Sequence, residues 1–158
     1  MESDTKYKAS STYSYWRSGK STSGYDWIDV VNFILIGTAE LTDYDLSQVE
    51  LIKIKEINET MFASWVGEGM PYVSDEPDKK LKVAFDWYNS VDDDAQIVAE
   101  LRQGENWLKE QDWFSTLFAT SIIQWLVEMV EAAGKVIDNE KGAINTLAQL
   151  FKLEKPYD

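Results

Sequence analysis

The segment from Phe114 to Val127 contains no charged side chain, and this constrains the fold more than any other feature of the chain. A helix that is apolar over most of its circumference must be covered on more than one side. The run is shorter than the ~20 residues of a membrane span and contains serine, threonine and glutamine, so it favours a buried helix over a span. The polar positions that would form one narrow stripe on this helix are Thr116, Thr120, Gln124, Glu128 and Glu131.

We predict that this stretch belongs to a long central helix over residues ~105–133, which Gly134 ends. Asp92, Asp93 and Asp94 mark the start of a shorter helix before it, since aspartates at a helix start cap free N–H groups and favour the dipole. Gly104 is expected to break that shorter helix from the central one. A last amphipathic helix follows over 143–153, and its predicted inward residues are Ile144, Leu147, Leu150 and Phe151.

The first half of the chain is expected to form strands. Residues 26–37 are apolar and rich in β-branched side chains, so a buried strand is the first interpretation and a short helix the second. Residues 48–57 predict another strand, with a tight turn into 60–66. The clearest strand pattern is 80–88, where apolar and mostly polar positions alternate.

Strands followed by helices predict an α+β fold. We expect an antiparallel sheet of four or five strands over residues ~10–90, followed by three helices, with the long central helix packed on the sheet. Residues 25–158 would form a single acidic α+β domain. Residues 1–24 differ in being polar, mildly basic and poor in aliphatic side chains, so we interpret them as an arm.

Charge and composition narrow the classes of function. The net charge is −13, and neither cysteine nor histidine occurs. A Cys/His zinc site, a thiolate nucleophile and a histidine general base are therefore excluded. We expect no catalytic residue, no metal site and no cofactor, hence no enzyme. No apolar segment of signal-peptide type opens the chain, which predicts a cytoplasmic location.

An acidic surface repels nucleic acid and anionic membranes and attracts basic proteins. The carboxylates would then bind the partner, and aromatic side chains of the arm would anchor it. Two questions stay open in the sequence: whether the acidic residues cluster on one face, and whether the aspartates only cap helices. The predicted partner-binding residues are Asp75, Glu76, Asp78, Asp92, Asp93, Asp94, Tyr13, Tyr15 and Trp16.

These patterns predict a non-enzymatic acidic protein that inhibits or neutralises a basic partner, either a nucleic-acid-binding protein or a toxin-like one, by resembling nucleic acid in charge. No direct binding to nucleic acid or to a membrane is expected. The alternative is a structural subunit of a larger assembly, such as a virion or a multiprotein complex. In that case the arm at 1–24 would contact a neighbouring subunit, and a homo-oligomer would be one form of it.

Overall fold

The computed structural model describes residues 25–43, 47–67, 69–71, 73, 76–91 and 93–158. Within these residues, every secondary-structure element is a helix, and the helices are joined by turns and loops. The predicted arm at 1–24 lies outside these residues. The helices are α1 (Trp27–Asp43), α2 (Gln48–Ser64), α3 (Pro77–Ser90), α4 (Asp94–Lys109), α5 (Thr116–Ala132) and α6 (Asp138–Leu150).

The α+β prediction is wrong, because no strand or sheet occurs within the described residues. The segments 26–37, 48–57 and 80–88, which the sequence predicted as strands, lie in α1, α2 and α3. For α3, alternation placed Lys80, Ala84 and Tyr88 on a polar face. All three are buried, together with Trp87, at the spacing of a helix. The alternation was too short to distinguish a strand from a helix whose flanks are half-buried.

Two helix-start signals in the first half are visible in the sequence and were not used. Ser47 and Glu50 form a capping box, in which each side chain bonds the other residue's backbone N–H. Pro77 occupies the first position of α3, where its missing N–H costs nothing. Both signals identify the segments as helices where the hydrophobic pattern indicated strands.

The central helix is α1, rather than the segment 105–133 that the sequence indicated. Every residue from 25 to 39 is buried, and α1 contacts each of the other five described helices. The predicted segment consists of the end of α4 and the whole of α5, separated by residues 110–115. None of the described helices has the length and apolarity needed to cross a membrane.

Helix α5 has the narrow polar stripe that its sequence predicted. Phe118, Ile122 and Leu126 are buried, while Gln124 and Glu128 on the opposite side are exposed. Gly134 ends the helix as predicted, with a φ of 116° that L side chains rarely adopt.

The predictions for α4 and α6 are correct in part. Asp93 caps α4 by accepting a hydrogen bond from the Gln96 N–H. Gly104, however, lies inside α4 and does not break it. A Cβ at this position would lie 3.0 Å from Cγ1 of Val30, so the glycine lets α4 approach α1 closely. In α6, Ile144 and Leu147 are buried, as is Phe151 just after it, whereas Leu150 is half-buried.

Helix α3 is held against α1 by a buried ion cluster. Nζ of Lys80 lies 2.7 Å from Oδ2 of Asp26 and 2.8 Å from Oδ2 of Asp29, and all three side chains are at most 4% exposed. A separate chain of amides joins the same helices to α2. Asn32 of α1 donates to Asn58 of α2, which donates to the carbonyl of Pro77 at the start of α3. The three helices are therefore joined by two buried polar contacts inside an apolar core.

An aromatic cluster closes the part of the core where α1 and α5 begin. Phe118 makes edge contacts with Trp27 at 5.5 Å and with Trp65 at 4.8 Å between ring centroids. The indole N–H of Trp27 donates to the carbonyl of Pro71, so the buried ring keeps its hydrogen bond. The heavy aromatic content of the chain thus fills the core, as a domain of this size requires.

The buried ion cluster can be tested with two matched substitutions on α3. Lys80→Met should lower the free energy of unfolding by about 3–5 kcal/mol at pH 7, because Asp29 would lose its cation inside the core. Lys82→Met breaks the exposed pair with Asp86 and should change it by less than about 1 kcal/mol. Urea unfolding of both variants measures the difference. Equal losses would show that burial of the Lys80 pairs has no special weight.

Candidate functional site: an acidic end of the bundle and an adjoining cleft

The predicted partner-binding residues divide into two groups. Tyr13, Tyr15, Trp16, Asp75 and Asp92 lie outside the described residues. The other four lie at exposed positions at the ends of described helices: Glu76, Asp78, Asp93 and Asp94.

These four exposed carboxylates do not form one patch. Glu76 and Asp78 lie at the start of α3, whereas Asp93 and Asp94 follow its end. A helix of 14 residues is about 21 Å long, so the length of α3 separates the two pairs. The structure therefore assigns the predicted carboxylates to opposite ends of α3.

The pair that follows α3 belongs to a larger group, which we call the acidic end: Glu40, Asp93 and Asp94, together with Tyr88 between them. The Tyr88 hydroxyl donates a hydrogen bond to Glu40, and the charges of Glu40 and Asp94 both act on it. Burial is the largest cause of the raised pKa of Tyr88, and the two carboxylates raise it further. Glu40 was not among the predicted residues, because α1 brings it here from far earlier in the chain.

Backbone dipoles add to the negative charge of the acidic end. Both α1 and α3 terminate near it, and neither has a basic residue in its last turn. The free carbonyls at a helix C-terminus are equivalent to about half a negative charge. Repulsion from the other negative groups destabilises Asp93 and Asp94 at this place. Part of that cost is offset, because both residues lie at the start of α4 and stabilise its N-terminus.

Tyr88 itself is a core residue. It is 8% exposed, and its ring lies 5.6 Å from that of Phe33. Tyr25 is fully buried and stacks on Trp87 at 4.1 Å. Neither ring is available to a partner without rearrangement of the core.

A cleft of about 250 Å³ opens between α1, α4 and α6. On α1 and α4, some of its lining residues are close in sequence to residues of the acidic end. Gly37 and Thr38 of α1 line it just before Glu40. On α4, Val98 and Glu105 continue at helical spacing the face on which Asp94 lies. Gly142 of α6 lines the opposite side, and a Cβ there would meet only open space.

Glu105 is the buried acid of this cleft. Its side chain is 10% exposed, and its Oε1 lies 3.3 Å from Nη1 of Arg102, whose own side chain is 46% exposed. Burial raises the pKa of Glu105 to about 7, and the partly solvated guanidinium of Arg102 offsets this only in part. The carboxyl is therefore close to half-ionised at neutral pH.

Glu100, one turn earlier, is a buried acid of a different kind. It faces Trp87 in the core, with 3.5 Å between the indole nitrogen and Oε1, and its other oxygen has no hydrogen-bond partner. Burial raises its pKa to about 7 as well. Because Glu100 does not line the cleft, the two acids of α4 whose pKa values are raised have separate surroundings.

Part of the negative charge is inside the protein, which composition could not reveal. The structure buries six carboxylates but only one lysine among the described residues. On the surface, fourteen exposed carboxylates face eight exposed cations in the same residues. The described surface is therefore less acidic than the net charge suggests, and local clustering determines where a basic partner can bind. No group of three or more acidic side chains in the described ranges is placed to hold a metal ion.

A second pocket, of about 320 Å³, lies where α5 begins and α6 ends. Phe114 and Phe151 form its apolar part, with 4.9 Å between their ring centroids. Lys109 and Lys152 line it together with Glu110, so cations outnumber carboxylates there. This pocket does not suit a basic partner.

The buried acid of the cleft should make stability depend on pH. Glu105 holds its proton to about pH 7 in the folded state, against 4.5 for its ordinary value, so its cost is full above pH 7 and is lost as pH falls toward 4.5. Glu105→Gln should therefore raise Tm by roughly 5–10 °C at pH 8 and change it little at pH 4.5. Thermal unfolding of Glu59→Gln, an exposed control, should show no such dependence, and a gain at pH 4.5 equal to that at pH 8 would contradict the assignment.

Comparison with known proteins assigns no family to the chain. No family model matches it, and no curated protein or solved structure is significantly similar to it.

Proposed function

We propose that this protein is a non-enzymatic, cytoplasmic binding protein that neutralises a basic protein partner through its acidic end. The observation that carries the proposal is that Glu40 and Asp94 both act on Tyr88, with Asp93 next to Asp94 in the chain, at a place where α1 and α3 also end. The partner would be a nucleic-acid-binding or toxin-like protein. Its cationic groove would receive these carboxylates in place of phosphates.

Clustering matters more than the total charge. A single exposed ion pair contributes about 0–1 kcal/mol, so dispersed carboxylates give little affinity. Several carboxylates and two helix C-termini at one place produce a local negative potential that attracts a basic protein and orients it during approach. The rigid helices fix the geometry of the charges before binding, which lowers the entropy cost of association.

The composition supports a binding role over a catalytic one. Histidine and cysteine are absent from the sequence, and these residues supply most general bases and thiolate nucleophiles. Among the described residues, Glu100 and Glu105, the two acids of α4 whose pKa values are raised, pair with Trp87 and Arg102, and neither an indole nor a guanidinium serves as a general base. A carboxylate surface that binds by charge needs neither a general base nor a nucleophile.

The proposal predicts which charges bind the partner. A variant of the acidic end, Glu40→Gln, Asp93→Asn and Asp94→Asn, removes three charges while keeping the cap of α4, since asparagine caps as well as aspartate. The control removes three exposed charges elsewhere: Glu59→Gln, Glu76→Gln and Asp78→Asn. Immobilised protein should capture a basic protein from a nuclease-treated extract of the source cell. The acidic-end variant should lose it, and the control should keep it.

Salt should release the captured protein. Raising ionic strength from 0.1 M to 1 M shortens the screening length from about 10 Å to about 3 Å, which weakens binding between exposed charges. Recovery of the protein alone, in a form that resists salt, would contradict the proposal and favour a subunit of an assembly. Equal losses in both triple variants would show that total acidity, rather than the acidic end, governs binding.

A further inference from the structure

We infer that the cleft between α1, α4 and α6 binds a primary alkylammonium group, and that its natural occupant is a lysine side chain of the basic partner. The choice of occupant rests on the proposed function, whereas binding of the ammonium group rests on the cleft alone. The cleft is a pocket with apolar walls and one buried acid, Glu105. This combination suits a chain that is aliphatic along its stem and charged at its tip.

The walls of the cleft fit the stem. Val98 and Leu101 of α4 face Ala143 and Leu147 of α6 across it. These side chains offer contacts to methylene groups and no hydrogen bonds, and a lysine stem buries its methylenes along such a surface. The volume of about 250 Å³ far exceeds the ~30 Å³ share of one water molecule, so a four-carbon chain can enter.

Glycines keep the cleft open. Gly142 on α6 faces open space where any other residue would place a side chain. Glycine in a helix interior costs about 1 kcal/mol relative to alanine, so α6 is less stable than it would be with almost any other residue here. Val98 at the mouth is 48% exposed, which is unusual for an apolar side chain beside a pocket and leaves its surface available for contact.

Glu105 suits the charged tip. A buried carboxylate is costly unless a cation pairs with it, and its described cation, Arg102, is half in solvent at 3.3 Å. An ammonium group inside the cleft would pair with Glu105 away from water, and Arg102 could turn outward to solvent. Thr38 and Thr146 also line the cleft and bring hydroxyl oxygens to it. The second pocket, which carries Lys109 and Lys152, would repel the same group.

The route into the cleft starts at the acidic end. Asp94 lies one turn before Val98 on α4, and Glu105 follows two turns after Val98. On α1, Gly37 of the cleft lies about one turn before Glu40. A cationic side chain attracted by the acidic end would therefore find a buried acid on the same face, which exchanges a weak exposed ion pair for a stronger enclosed one.

The test uses n-butylammonium, which reproduces the lysine side chain, titrated into the full chain at pH 8 and followed by amide ¹H–¹⁵N NMR. We expect saturable shifts centred on Gly37, Gly142 and Glu105, with a Kd of about 1 mM. 1-Butanol, which has the stem without the charge, should bind at least about tenfold more weakly, as each 1.4 kcal/mol corresponds to a factor of ten.

Three variants locate the site. Glu105→Gln removes the charge, and Gly142→Leu adds a side chain at the lining of the cleft, where a Cβ meets no atom within 4 Å, so both should weaken binding at least about tenfold. Glu110→Gln, an exposed acid at the end of the same helix, should leave the affinity unchanged. Shifts that centre elsewhere, or an unaltered Kd in Glu105→Gln, would overturn the inference.

Affinity should also fall between pH 8 and pH 6. Only ionised Glu105 attracts the ammonium group, and its ionised fraction falls about tenfold from pH 8 to pH 6, one unit on each side of its raised pKa. Arg102 is the other charged residue that lines the cleft. The lining residues of α1 and α6 are uncharged. An affinity that does not change with pH would contradict a role for Glu105.

The outcome for the cleft is separable from that for the proposed function. Glu105-dependent binding of butylammonium, with no basic protein captured, would keep the ammonium site and reject the partner. Capture of a basic protein that needs the acidic end but survives both Glu105→Gln and Gly142→Leu would keep the proposed function and overturn the lysine as occupant.

Discussion

The arrangement of the helices depends on one buried cation. Lys80 lies between Asp26 and Asp29, and this buried cluster fixes α3 on α1. An apolar contact would tolerate sliding of one helix along the other, whereas a buried ion pair is favourable only in one register. The amide chain from Asn32 through Asn58 to Pro77 extends the same constraint to α2. Specificity of packing is thus supplied by polar groups inside an apolar bundle.

This register determines where the helix ends come together. Because α3 is fixed on α1, Tyr88 reaches Glu40, and the start of α4 brings Asp94 to the same place. Carboxylates and helix C-termini repel one another, and these groups would move apart if the packed core did not hold them together. The acidic end is therefore a local cost that the core sustains, which is common at sites that bind charged partners.

Buried acids change the meaning of the net charge. Asp29, Glu100 and Glu105 have pKa values raised to about 6, 7 and 7 by burial, so part of the formal charge is neutralised by protons near neutral pH. Asp29 is an exception in kind, since Lys80 opposes the effect of burial on its pKa. For the surface, the relevant quantity is where exposed carboxylates gather, and for the cleft it is a single acid whose protonation changes within the physiological range.

Features with local causes could be predicted from the sequence alone: the exposed stripe of α5, its end at Gly134, the cap of α4 at Asp93 and the inward face of α6. The sequence also contained the capping box at Ser47 and the proline at the start of α3, which identify helices where hydrophobic patterns predicted strands. Tertiary packing made α1 the central helix, since burial on every side depends on five other helices. It likewise decided that Glu40 joins Asp94, that Glu76 and Asp78 do not, and that Glu105 faces a cleft. These relations are between residues far apart in the chain, and they follow from packing register, which no local pattern encodes.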